Sequence, residues 1–245
     1  MALKEYRFAF LLFSLVLLMV VSPVVYALPL GGLVLSGMFI WLLLTVAFSV
    51  SERHWLLNIA RMLTVPAIGL SVLSAWSSVP ESPFSDSTRL IAFLDRAIAI
   101  AFLFYISCLV LKSLFASRYV TVETINAAIC LYLLLGVLWV LAYSSVEYVG
   151  PDAFVGGDFT NPQQSFASFY FSFVTLTTLG YGDISPTIFA PPSTELSVSV
   201  PMVSRAACTL ATPETITGQI YITVLVARPV GLHIFQNRND EPHSE

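Results

Sequence analysis

Residues 175–183 read Thr-Leu-Thr-Thr-Leu-Gly-Tyr-Gly-Asp. The chemistry this stretch offers is that of oxygen ligands. Gly180 and Gly182 alternate with Leu179 and Tyr181, and glycine enters φ > 0 at little steric cost. Carbonyls that all face one axis require such an alternating backbone twist. A ladder of carbonyl oxygens, with the Thr178 hydroxyl added, is suited to replacing the water around a bare cation. Tyr181 can point its ring away from the axis and hold the loop open. Asp183 places a negative charge at one end. In a soluble protein the same residues would make an ordinary Gly-rich turn between two apolar segments, so the surrounding chain decides the reading.

That chain is apolar. Of its 245 residues 57% are hydrophobic and only 11% charged, with a mean hydropathy of +0.83. Soluble domains carry about a quarter charged residues. The composition is that of a polytopic membrane protein. A net charge of −4 with scattered basic residues carries no nucleic-acid signal. Cys108, Cys130 and Cys208 follow no metal or disulfide spacing and read as small hydrophobes. No nucleotide loop, metal cluster or nucleophile constellation points to an enzyme or to a cofactor.

Crossing a bilayer takes about 20 apolar residues per helix. Suitable runs are Phe8–Leu28, Leu30–Val50, Trp55–Trp76, Leu90–Leu114 and Val122–Tyr143, with a sixth at Glu214–Phe235. The segment Ser165–Thr177 is too short to cross and reads as a re-entrant helix, tolerated where it is buried in protein beside water. With alternating spans, Lys4, Arg7, Arg53, Arg61, Lys112, Arg118, Arg228 and Arg238 fall on one side, eight of the 11 basic residues. The positive-inside rule makes that side cytoplasmic, and with it both termini. Glu81, Asp86, Glu147, Asp152, Asp158 and Asp183 collect on the other, and Glu147, Asp152 and Asp158 read as a solvated outer rim. An alternative for the first span is a cleaved signal peptide, since Lys4 and Arg7, the apolar run and Val25-Tyr26-Ala27 also have that layout.

The stretch Thr178-Leu179-Gly180-Tyr181-Gly182 resembles the selectivity filter of the potassium channel family, with Leu where many members have Val. The segment Ile216–Ile234 is similar to the inner helix of small bacterial potassium channels. The resemblance implies an all-α membrane protein with about six transmembrane helices, a re-entrant pore helix and a filter loop. It implies a homotetramer in the bilayer of the cell membrane, because one loop supplies a quarter of the oxygens, and passive conduction with potassium at the filter carbonyls as the permeant ligand. Thr178, Leu179, Gly180, Tyr181 and Gly182 would hold the ion. Thr177, Tyr170 and Asp183 would support the filter and its outer mouth, where many family members brace the Asp with a Glu or Trp; here the matching positions are Val174 and Tyr170. Of Phe169, Tyr170, Phe171 and Phe173, three read as aromatic packing. Gly218 is the hinge candidate.

Residues 1–118 are expected to form a four-helix membrane domain and 119–236 the pore domain, with a short cytoplasmic tail at 237–245. Six spans resemble the voltage-gated branch, yet the fourth span holds only Arg96, with Arg89 at its edge, and lacks the arginine repeat of a voltage sensor. Arg61 and Arg96 are expected to snorkel or to pair with a carboxylate. Two features depart from the family. Pro229 stands in the last turns of the sixth span and is expected to kink or end it. Residues 187–212 read as an extracellular insertion, because related filters reach their inner helix in roughly half that distance. These departures keep open a non-conducting or regulatory subunit. A potassium uptake transporter is the further alternative, though such chains carry four filter repeats.

Overall fold

The computed structural model describes residues 7–26, 31–49, 65–73, 88–116, 121–150, 153–157, 159, 166–187 and 202–239. They form helices α1 (Arg7–Tyr26), α2 (Gly31–Ser49), α3 (Thr88–Ala116), α4 (Val122–Val149), α5 (Phe166–Leu176) and α6 (Met202–Asn239). Residues 65–73 are helical as well. Two short strands, β1 (Phe154–Val155) and β2 (Ser185–Pro186), pair antiparallel. This is an all-α membrane protein. Among the described residues, Phe8–Val25, Leu90–Ala116 and Val122–Val149 are long and apolar enough to cross a bilayer.

Local signals set the ends of α4. Thr121 is its N-cap, accepting from the Thr124 amide at 3.2 Å, and Glu123 lies in the first turn, where a carboxylate suits the helix dipole. Gly150 closes it, donating from its N–H to the Val146 carbonyl at 3.0 Å. Between these caps α4 is shared by four other helices. It packs against α1, α3, α5 and α6. Its buried Leu131, Leu134 and Cys130 join Leu11 and Leu15 of α1, Leu42 and Leu43 of α2, and Phe102, Leu103 and Ile106 of α3 in one apolar cluster. The N-terminal helices therefore share a core with α4. The Cys130 thiol lies 3.3 Å from the Phe8 carbonyl, consistent with a small, weakly donating hydrophobe.

Polar groups on α3 find local partners. Asp95 accepts from the Ser71 hydroxyl at 2.7 Å. Arg96 sits over the Tyr148 ring, 4.3 Å from its centroid, a cation–π contact with the end of α4. Arg61 lies outside the described residues.

Three expectations need correction. Residues 202–212, assigned to the insertion, are the first turns of α6, which starts at Met202 rather than near Glu214. Ser204 and Ala207 are fully buried there, and Val203 and Leu210 pack against an aromatic cluster around Tyr143. Burial of that small-residue face outweighs Pro213, which removes one helix hydrogen bond. The Thr209 and Thr215 hydroxyls bond back to the carbonyls of Arg205 and Ala211, at 2.8 and 2.9 Å. Residues 188–201 lie outside the described residues. Secondly, Pro229 does not end the helix, because α6 continues to Asn239. Thirdly, Glu147 is no solvated rim residue. α4 runs on to Val149 and buries Glu147 to 2% exposure. Asp152 and Asp158 lie outside the described residues.

Candidate functional site

The 11-residue α5 is about 16 Å long at 1.5 Å per residue, half of a bilayer core. Its faces are assigned residue by residue. Phe169 packs on the main apolar cluster. Phe171 meets Tyr143, with ring centroids 4.9 Å apart, and Phe154, at 5.2 Å. A side chain placed on Gly136 of α4 would run into the Phe173 ring. Tyr170 alone of the four aromatics offers a polar contact to the loop that follows.

That loop leaves α5 by turning its N–H groups back on the helix. Thr177 donates to the Phe173 carbonyl and Thr178 to that of Thr175, both at 3.0 Å, and Leu179 and Gly180 donate to that of Val174, at 2.9 and 3.3 Å. These bonds satisfy the last carbonyls of α5. They also leave the loop's own carbonyls unspent: among the described residues no hydrogen bond is donated to the carbonyls of 178–182. Thr178, Gly180 and Gly182 have φ of +60°, +56° and +79°. Every second residue is thus left-handed, the alternation that two glycines spaced by one residue allow. At Thr178, β-branched and not glycine, this geometry stores strain of about 1–3 kcal/mol. Leu179 is 57% and Tyr181 67% exposed. A single chain leaves this loop bare.

Both ends of the loop are tied. At the outer end the Tyr170 hydroxyl donates to Asp183 Oδ2 at 2.6 Å, and the Ile184 amide donates to Asp183 Oδ1 at 3.1 Å. The Tyr170 bond holds the Asp183 carboxyl below the usual carboxylate range. Tyr170 and Tyr181 stack with their rings 6.5 Å apart and 5° from parallel. Beyond Asp183, β2 pairs with β1, and Thr187 donates to the Ala153 carbonyl at 2.9 Å.

The inner end is tied by α6. The Gln219 side-chain amide lies 2.8 Å from the Thr178 hydroxyl. A Cβ on Gly218 would come 2.0 Å from the Leu176 carbonyl oxygen, so this glycine is needed for the close approach of α6 to the end of α5. That packing reason is independent of any hinge. One turn earlier Glu214, 0% exposed, accepts from the Tyr143 hydroxyl of α4 and, at 2.7 Å, from the Ser172 hydroxyl of α5. Sequence reasoning missed Glu214 and Gln219. A lone carboxylate at the start of the apolar run Glu214–Phe235 was the available signal, because an ionisable residue at membrane depth needs a named partner.

The structure thus brings Tyr170, Thr177, Thr178, Leu179, Gly180, Tyr181, Gly182, Asp183 and Gly218 together around one loop. Among the described residues there is no cluster of three or more His, Cys, Asp or Glu side chains suited to a metal ion. The oxygens on offer are carbonyl and hydroxyl, a set suited to hard monovalent or alkaline-earth cations.

Comparison with curated proteins and with solved structures returned no match. Residues 120–210 match the family model described as Ion channel. The matched stretch takes in α4, α5, the twisted loop and the first turns of α6. This stretch of the chain is similar to an ion channel domain.

Proposed function

We propose that the chain is a potassium-selective channel in which four copies bring their Thr178–Gly182 loops to one axis and conduct potassium passively across the cell membrane. The observation that carries the reading is the alternation of left-handed residues at Thr178, Gly180 and Gly182, combined with the N–H groups of Thr177, Thr178, Leu179 and Gly180 that turn back on α5. Carbonyl oxygens left free on such a ladder can replace an ion's water, and their number and field select the ion. Asp183 at the outer mouth would form a ring of four charges that raises the local cation concentration. α4 and α6 are the outer and inner pore helices, α5 the pore helix. The chain crosses the membrane about six times with both termini cytoplasmic, as the distribution of basic residues supports. Potassium is the permeant ligand, and no resident cofactor is required.

A silent subunit drew its support from the long connection after the filter and from Pro229. The start of α6 at Met202 and its continuation past Pro229 weaken both grounds.

Purified protein in liposomes tests the proposal. The protein in detergent should have the mass of four chains. Potassium and rubidium should exchange across the liposome membrane while sodium does not. Equal sodium and potassium flux, or a conducting monomer or dimer, would overturn the reading.

A further inference from the structure

The Thr178 hydroxyl makes two contacts that together fix its hydrogen. It donates to the Thr177 carbonyl at 2.6 Å, and a hydroxyl has one hydrogen to give. The contact with Gln219 at 2.8 Å therefore uses the amide NH2 as donor. A hydroxyl oxygen has two lone pairs. One is taken by Gln219, and the other stays open for a cation. We propose that Gln219 is a positioning residue for the innermost ion site, holding the Thr178 hydroxyl with its hydrogen turned to Thr177 and a lone pair available to a bare alkali or alkaline-earth cation. The proposal rests on the reading of the loop as a filter.

Two further observations support it. Thr178 is held at φ +60°, a conformation that persists in a β-branched residue only when its surroundings over-determine it. Without the amide, the hydroxyl is free to leave the geometry that offers its oxygen. The amide is itself fixed in place. Gly218 lies against the Leu176 carbonyl, and Glu214 one turn earlier is bonded to Ser172 of the pore helix. Residues 214 and 218 share one face of α6. The register of α6 on α5 is thereby set one residue before Gln219. The neutral amide adds no charge to the site, so its contribution is orientation.

Barium is the probe, because it is close to potassium in size and its double charge makes the innermost oxygens decisive. Its binding to the detergent-purified tetramer in sodium buffer, followed by calorimetry, needs no open pore. Gln219→Leu should keep the mass of four chains and bind barium about tenfold more weakly, through loss of one neutral hydrogen bond per chain. Gln219→Asn, which keeps the amide and shortens its reach, should show the same loss and serves if the leucine variant does not assemble. Thr178→Cys removes the hydroxyl acceptor, and adding Gln219→Leu to it should change nothing further. Barium binding by Gln219→Leu equal to that of the unaltered protein would overturn the inference. So would an equal tenfold loss in the Thr178→Cys background, because Gln219 would then act elsewhere. Either result, with selective potassium flux in the unaltered protein, leaves the channel reading standing. Absence of both barium binding and potassium flux in the unaltered protein would overturn both.

Discussion

The two ends of the proposed filter are held by different means. The outer end is tied by its own neighbourhood. Tyr170 and Asp183 are 13 residues apart, and both belong to the single unit of pore helix and loop. The inner end is tied from far along the chain, by Gln219 on Thr178, 41 residues away, and by Gly218 on Leu176. The outer bond is exposed and competes with water. The inner helix is anchored by a fully buried carboxylate, Glu214, that reaches both α4 and α5. A local, solvated tie can break without disturbing the rest of the fold. A buried, non-local one moves with the inner helix. The outer end is thus free to change state alone, and the inner end reports where α6 sits.

The largest expected effect comes from the loop between the two ties. Gly180→Ala or Gly182→Ala forces an L side chain into φ near +56° or +79°. There is space for the methyl group, so the cost is backbone strain, about 1–2 kcal/mol per chain. Permeability to sodium relative to potassium should rise sharply in bilayer recordings. Retained selectivity would show that the left-handed geometry is not what selects.

Next comes the inner tie. Gly218→Val places a carbon where the Leu176 carbonyl oxygen stands. Overpacking of this kind costs about 1–3 kcal/mol, and the melting temperature of the detergent-solubilised protein should fall. A smaller effect is expected of Glu214→Gln, which keeps an acceptor for one hydroxyl. Glu214→Leu leaves the Tyr143 hydroxyl buried and unpaired, at about 1–3 kcal/mol, while the Ser172 hydroxyl keeps the Gly136 carbonyl as an acceptor at 3.1 Å. Equal melting temperatures for the Gln and Leu variants would show that the hydroxyl bonds do not stabilise the contact of the three helices.

The smallest effect belongs to the outer tie. Tyr170→Phe removes the bond to Asp183 and should hasten loss of current from the outer side, with barium binding at the inner end unchanged. The pH dependence has a definite sign. Asp183 is held below the usual carboxylate range, chiefly by Tyr170. Its tie is therefore fully present above the ordinary carboxylate pKa and is lost as external pH falls through the lowered value. Tyr170→Phe should move the pH at which current fails upward, toward that of an ordinary Asp. An unchanged pH profile would separate Tyr170 from the state of the filter.

The same contrast explains what could be read from the sequence. The twisted loop was legible because its geometry follows from two glycines spaced by one residue. The Tyr170–Asp183 pairing was legible as a position because helix and loop are contiguous. The membrane class followed from apolar runs. What escaped depends on where helices end and how they register. Pro213 made the inner helix look as if it began near Glu214. Its true start at Met202 turns Glu214 from a terminal residue into a buried one in the fourth turn. The outer helix runs six residues past Tyr143, which takes Glu147 out of water. Gln219 could not be paired with Thr178 without the close approach at Gly218, and a single glycine in a membrane helix does not reveal what it touches.

The central claim is that a ladder of alternating left-handed residues selects potassium. The bi-ionic reversal potential, with potassium on one side of a bilayer and sodium on the other, tests it most directly. The account predicts a reversal far toward the potassium equilibrium potential for the unaltered protein and a collapse toward zero for Gly180→Ala. A reversal potential near zero in the unaltered protein would contradict it.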